Sequence, residues 1–265
     1  PDGEIAFFND SAFGIAPPPA QLDAYAVRLG YPEVDPPTDP LILLPESGYV
    51  RMQVDPAVVI ADVGPVGPDY LPGHAHADTL SFELSLSGRR LVVNSGTSEY
   101  GTGPERLRQR GTPAHSTVSI DGQDSSEVWG GFRVARRARP FGLAVNHADA
   151  RVEVACSHDG YRRLPGSPVH RRRWVLDVAG LDVHDEVRGA PGRACIHLHW
   201  APDIRCTAGG DVVSRGTMVA RVAVDGASWR SAASSWHPGF GRVVSNEVLL
   251  APVPGTACTL RLRWT

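Results

Sequence analysis

From about Leu44 onward this chain alternates apolar and polar residues with a period of two, and that pattern leaves few folds open. Short segments of this kind recur at 49–54, 58–63, 80–86, 91–94, 117–120, 133–137, 150–156, 172–176, 181–187, 194–200, 218–224, 243–250 and 258–264. A β-strand turns successive side chains to opposite faces, so each segment reads as a strand with one face buried. Turn pairs divide them, among them Ser87-Gly88, Asp121-Gly122, Asp159-Gly160 and Asp225-Gly226. Helical periodicity and a βαβ rhythm are missing from this stretch. Many strands at short spacing predict a mainly β fold, a large antiparallel β-sandwich. With 265 residues, 42% of them hydrophobic, the chain can bury a sizeable core. Residues 1–40 differ. Leu22, Tyr25, Ala26 and Leu29 follow helical spacing, Gly30 and Pro32 end the pattern, and prolines crowd both sides. This reads as the tail of a helical unit followed by a linker.

Charge narrows the function. The net charge of -3 argues against nucleic acid as a partner, and no apolar run approaches the roughly 18 residues of a membrane span. All 26 basic residues are arginine. Codon bias accounts for that, but the absence of lysine excludes Schiff-base chemistry, a P-loop lysine and a kinase lysine. The four cysteines form no CxxC pair and are expected as buried free thiols. Because the chain opens at Pro1 without a methionine, it is expected to be a fragment or a processed product.

Reactive residues gather in Gly73-His74-Ala75-His76-Ala77-Asp78, which runs directly into Thr79-Leu80-Ser81-Phe82-Glu83-Leu84. If the strand reaches back that far, His74, His76 and Asp78 share a face with Leu80, Phe82 and Leu84. Imidazoles two residues apart hold a metal, or divide into one ligand and one acid/base group. The next histidine is His115, at a predicted strand start, and the intervening strand ends in Val92-Val93-Asn94. A two-residue turn at Ser87-Gly88 sets Asn94 opposite Ser81 and off the His76 row. A longer loop or a bulge returns it, and both remain open. Arginines concentrate between 105 and 139, and Arg106 and Arg110 precede His115. Their forked donors suit carboxylate and sulfate. His170 with Arg171, Arg172 and Arg173 is expected on an exposed or edge strand. Trp129 and Trp200 are expected in the core.

The runs Leu44-Pro45-Glu46-Ser47-Gly48-Tyr49, Gly73-His74-Ala75-His76-Ala77-Asp78, Val93-Asn94-Ser95-Gly96-Thr97-Ser98-Glu99-Tyr100 and Ala114-His115-Ser116-Thr117-Val118 together resemble the heparinase II/III family of polysaccharide lyases. Gly160-Tyr161-Arg162-Arg163-Leu164 and Val169-His170-Arg171-Arg172 extend the likeness. The resemblance implies an α/α toroid ending within residues 1–43 and a β-sandwich over 44–265. It implies β-elimination on an acidic, uronate-bearing polysaccharide, with His74 as the sandwich-borne catalytic histidine. His76, Asn94 and His115 resemble the family's metal site, zinc in the best-known cases, with Asn94 where aspartate is usual. Arg106 and Arg110 are the first candidates for glycan contacts. The family suggests a periplasmic or secreted setting, and the fragment without its toroid is expected to be nearly inactive. Two alternatives stand beside this one. The chain is a non-catalytic carbohydrate-binding or structural module, or it is a metal-dependent hydrolase using His74, His76, Asp78 and His115.

Overall fold

Two large antiparallel sheets face each other in the computed structural model, which describes residues 2–33, 35–189 and 193–265. One sheet has nine strands, in the order 41–44, 49–54, 57–62, 82–86, 89–93, 194–200, 242–252 and 230–239, with 118–120 paired beside 194–200. The second has eight, in the order 204–206, 211–214, 217–224, 257–264, 180–188, 169–177, 151–158 and 140–148. The predicted sandwich is therefore present, with a small separate ribbon of 128–129 and 133–134. Strict alternation drives it: Tyr49–Val54 buries every second residue, and Met52, Leu84, Trp174, Val183, Trp200 and Leu262 meet in one continuous core. All four cysteines are free. No helix among the described residues is long and apolar enough to cross a membrane.

Several expectations change. The strand after the histidines begins at Phe82, not at His74. Leu80 takes a left-handed backbone (φ 61°), and Ser81 N–H donates to Asp78 O at 2.8 Å. His74, His76 and Asp78 thus lie on a turn-rich loop, where period-two alternation sets no common face. The register question is settled by a bulge. Ser85 pairs with Arg90 but Leu84 with Val92, so Leu91 is the extra residue. Continuing that register sets Asn94 level with Phe82, as the bulge alternative required, but the turn before Phe82 leaves no row of histidines for it to join.

Strand Val169–Asp177 is interior to its sheet, not an edge. His170 and Arg172 point inward and are buried, while Arg171 and Arg173 point outward. Trp200 lies in the core as expected, but Trp129 is 49% exposed with the Arg133 guanidinium stacked 4.7 Å from its ring centre. The predicted N-terminal helix spans Pro19–Arg28 and buries none of its residues. Residues before it do pack: Phe7, Phe8 and Asp10 are buried, and Phe7 meets Trp236 edge-on at 5.3 Å. Strands at 140–148 and 230–239 and the helix Pro104–Arg110 had no counterpart in the sequence reading.

Candidate functional site

The site is assembled on Asp10, a carboxylate from the N-terminal segment. Its Oδ2 accepts from His74 Nδ1–H at 2.9 Å, and its Oδ1 from His76 Nε2–H at 2.8 Å. Both guanidinium arms of Arg106 reach it, Nη2 at 2.8 Å, and Thr97 Oγ1 donates at 3.1 Å. One buried carboxylate therefore orients two imidazoles and neutralises a buried arginine. Burial alone would raise the Asp10 pKa, but the bonds from His76 and Arg106 outweigh it and hold the carboxyl well below the usual range.

His76 and His115 meet at 3.1 Å, Nδ1 to Nε2. His115 Nδ1–H is committed to Gly111 O at 2.9 Å, which leaves its Nε2 as a lone pair. The bond from His76 Nε2–H to Asp10 leaves His76 Nδ1 as a second lone pair facing the first. Burial pushes each ring down to about 4, so neither gains a second proton at neutral pH. Two facing lone pairs repel unless a cation lies between them. Asp78 is the third group, with its ligand atom within 4.8 Å of both. Nitrogen, nitrogen and carboxylate oxygen form a zinc-type donor set. A tetrahedral site with metal–nitrogen bonds of about 2.0–2.1 Å sets its nitrogens about 3.3 Å apart, close to the spacing here. Burial also pushes Asp78 up, a shift that a bound cation reverses.

Asn94 stands differently. Its Oδ1 accepts from Ser116 N–H at 2.8 Å, and its Nδ2 is buried without a partner among the described residues. The carboxylate that joins His76 and His115 is Asp78, whereas the free arm of Asn94 is a donor and offers a cation nothing. Arg106 and Arg110, expected as glycan contacts, are both fully buried. Arg106 closes on Asp10, and Arg110 donates Nη2–H to Ala75 O at 2.9 Å. They brace the histidine loop from beneath, which removes them from any glycan at the surface.

His74 remains accessible, its side chain 65% exposed. Tyr100 Oη stands 3.4 Å from His74 Nδ1, and Tyr100 and Phe132 flank the imidazole at 5.8 and 6.2 Å between ring centres. Sequence reasoning found His74, His76, Asp78 and His115 and missed Asp10. Asp10 sits in a motif-free stretch, Phe8-Asn9-Asp10-Ser11, so no spacing signal could have singled it out.

A family profile described as "Heparinase II/III-like, C-terminal" matches residues 36–265. FtsZ-localized protein C of Caulobacter vibrioides is 33% identical over 198 residues, covering 71% of this chain and 31% of that protein. Among solved structures, a heparinase III superposes over 100% of this chain and 44% of its own, with a TM-score of 0.76 and 15% identity. The heparan sulfate lyase HepC of Pedobacter heparinus does so over 100% and 44%, with a TM-score of 0.75 and 16% identity. At that identity the two structures establish a shared fold. The chain spans less than half the length of each of these relatives.

Proposed function

The chain belongs to the heparinase II/III-like C-terminal family, and on that premise we propose that it forms one wall of a polysaccharide lyase cleft. The observation that carries this reading is the Asp10–His74 pair at the surface. Asp10 accepts the hydrogen bond from Nδ1–H, which leaves the lone pair on Nε2 of a largely exposed ring. An oriented imidazole of this kind serves as general base or general acid. β-Elimination on a uronate needs both: removal of the proton α to the carboxylate, and protonation of the leaving oxygen. Tyr100 is the second acid/base group within reach. Partners that complete the cleft, including whatever neutralises the substrate carboxylate, belong to a larger N-terminal region of the whole protein. In the full-length protein, His74→Ala is expected to lower the formation of unsaturated product by about 10²–10⁴-fold. Absorbance of the new double bond reads this directly, and an unchanged rate removes His74 from the chemistry.

His76, His115 and Asp78 would hold a zinc-type cation behind this wall and fix the loop that presents His74. A bound cation supplies charge that keeps Asp78 ionised and the two rings neutral. Micromolar zinc is expected to raise the melting temperature of the wild-type protein, and His115→Ala to abolish that rise. Calorimetry showing no zinc uptake by the wild type would remove the metal from this account.

A second reading draws on the relative named for its localisation with FtsZ. In it, the domain serves localisation with FtsZ and its polar cluster is structural. That reading requires His74→Ala to leave the protein's cellular role intact, whereas the lyase reading requires its loss.

A further inference from the structure

Beside His74, three exposed aromatic rings come from three separate segments. Tyr100, Phe132 and Phe240 are 43%, 44% and 40% exposed. Tyr100 is the centre, 5.2 Å from Phe132 and 4.8 Å from Phe240, each pair edge to face. From these we infer that the three rings, set edge to face, form a preformed aromatic cradle for one pyranose ring of the glycan, in which the exposed faces of Phe132 and Phe240 stack on the sugar. The inference rests on the lyase reading for the identity of the ligand, and it adds the residues that hold the sugar.

The cradle is built, not incidental. Gly241 N–H donates to Ser98 O at 2.8 Å, tying the Phe240 turn to the Tyr100 segment. Gly131 (φ 60°) lies so close to the same segment that a Cβ there would sit 2.1 Å from Gly101 O. From beneath, Arg106 donates Nε–H to Gly131 O at 3.0 Å and lies 5.1 Å from the Tyr100 centroid and 5.5 Å from that of Phe132. A fully buried guanidinium therefore covers the inner faces of two rings while neutralising Asp10. Rings held in place before binding lose little entropy on contact.

Size and position select the occupant. Stable protein partners cover roughly 800 Å² on each side, and three half-exposed rings are far too small for that. A sugar presents a C–H face of about the dimensions of one aromatic ring, and adjacency to His74 places it at the reacting position. Arg106 and Arg110, the two arginines that support the histidine loop, are fully buried and so offer no charge to a ligand here.

The test uses the full-length protein carrying His74→Ala, so that binding is read without turnover. Probes are hyaluronan and heparin hexasaccharides, followed by calorimetry. Adding Phe132→Ala or Phe240→Ala is expected to weaken the binding of at least one probe by about 3- to 10-fold. Phe240→Trp is expected to restore it, and the loss should be equal at 50 and 500 mM salt, since stacking is not screened. Affinity within twofold of the parent, a loss that disappears at high salt, or no binding of either probe would each overturn the cradle. These outcomes are independent of the lyase reading, which stands or falls on unsaturated product from the protein with His74 intact.

Discussion

On the proposed lyase function, Asp10→Asn is expected to abolish turnover and to cost the fold about 3–5 kcal/mol, because one carboxylate neutralises Arg106 and orients both His74 and His76. Arg106 is fully buried, so the amide leaves its charge uncompensated in the interior. An amide also offers one acceptor and one donor where the carboxylate offered two acceptors. Either His74 Nδ1–H or His76 Nε2–H then faces an N–H, and that imidazole must change tautomer or turn away. Loss of the orienting carboxylate from an acid/base histidine lowers turnover by about 10⁴-fold where it has been measured in triad enzymes. The melting temperature should fall by roughly 10 °C, from about 2–4 °C per kcal/mol in a domain of this size. The pH dependence has a definite sign. Asp10 has its carboxyl depressed in the fold, so its stabilisation is complete above the unfolded value of about 3.9 and is lost as pH falls through the folded one. The stability gap between wild type and variant should therefore stay constant from pH 7 to about 4 and close below it. Denaturant midpoints across that range measure it, and a gap that closes near pH 6 would mean that a histidine, and not Asp10, carries the linkage.

How much of this was legible in the sequence depended on whether the information was local. Alternation at 49–54 and 181–187 located both strands because each buries one face against the core. The same rule failed at His74–Leu80, where the residues still alternate but the backbone turns. Leu80 is left-handed and its carbonyl is taken by a strand of the opposite sheet, a contact that periodicity does not encode. Charge misled in a related way. Arg106, Arg110 and Arg172 read as solvent or ligand groups, since arginine is rarely buried unless paired. Their partners, Asp10, Ala75 O and Asp185, are distant in the chain or are backbone atoms. The helix Pro104–Arg110 has only seven residues, too few to show a period. The His-x-His spacing singled out the site histidines and the family likeness gave them roles, but Asp10, which anchors His74 and His76, lies in a stretch that carries none of the motifs.

Arg172 carries the other large expected effect, and it acts at a distance from the chemistry. The guanidinium rises from the eight-stranded sheet and spends Nε and Nη2 on Asp185, at 2.7 and 2.9 Å. Its Nη1 crosses the sandwich to Leu80 O at 2.9 Å and Ser116 O at 2.8 Å. Leu80 ends the loop of His76 and Asp78, and Ser116 follows His115. One arm therefore fixes the separation of the two chain segments that pair His76 with His115. Arg172→Met leaves Asp185 charged and buried, a loss of about 3–5 kcal/mol, and strands two carbonyls. The double variant Arg172→Met with Asp185→Leu removes both charges and is expected to recover much of the stability, since buried ion pairs are often replaceable by apolar side chains. Recovery is incomplete because His170, which donates Nε2–H to Asp185 at 2.7 Å, loses its partner. The two carbonyl bonds do not return, so zinc affinity and turnover should stay low while the melting temperature climbs back. If turnover recovers together with stability, Arg172 serves only the core, and the spacing of His76 and His115 must be set by their own loops.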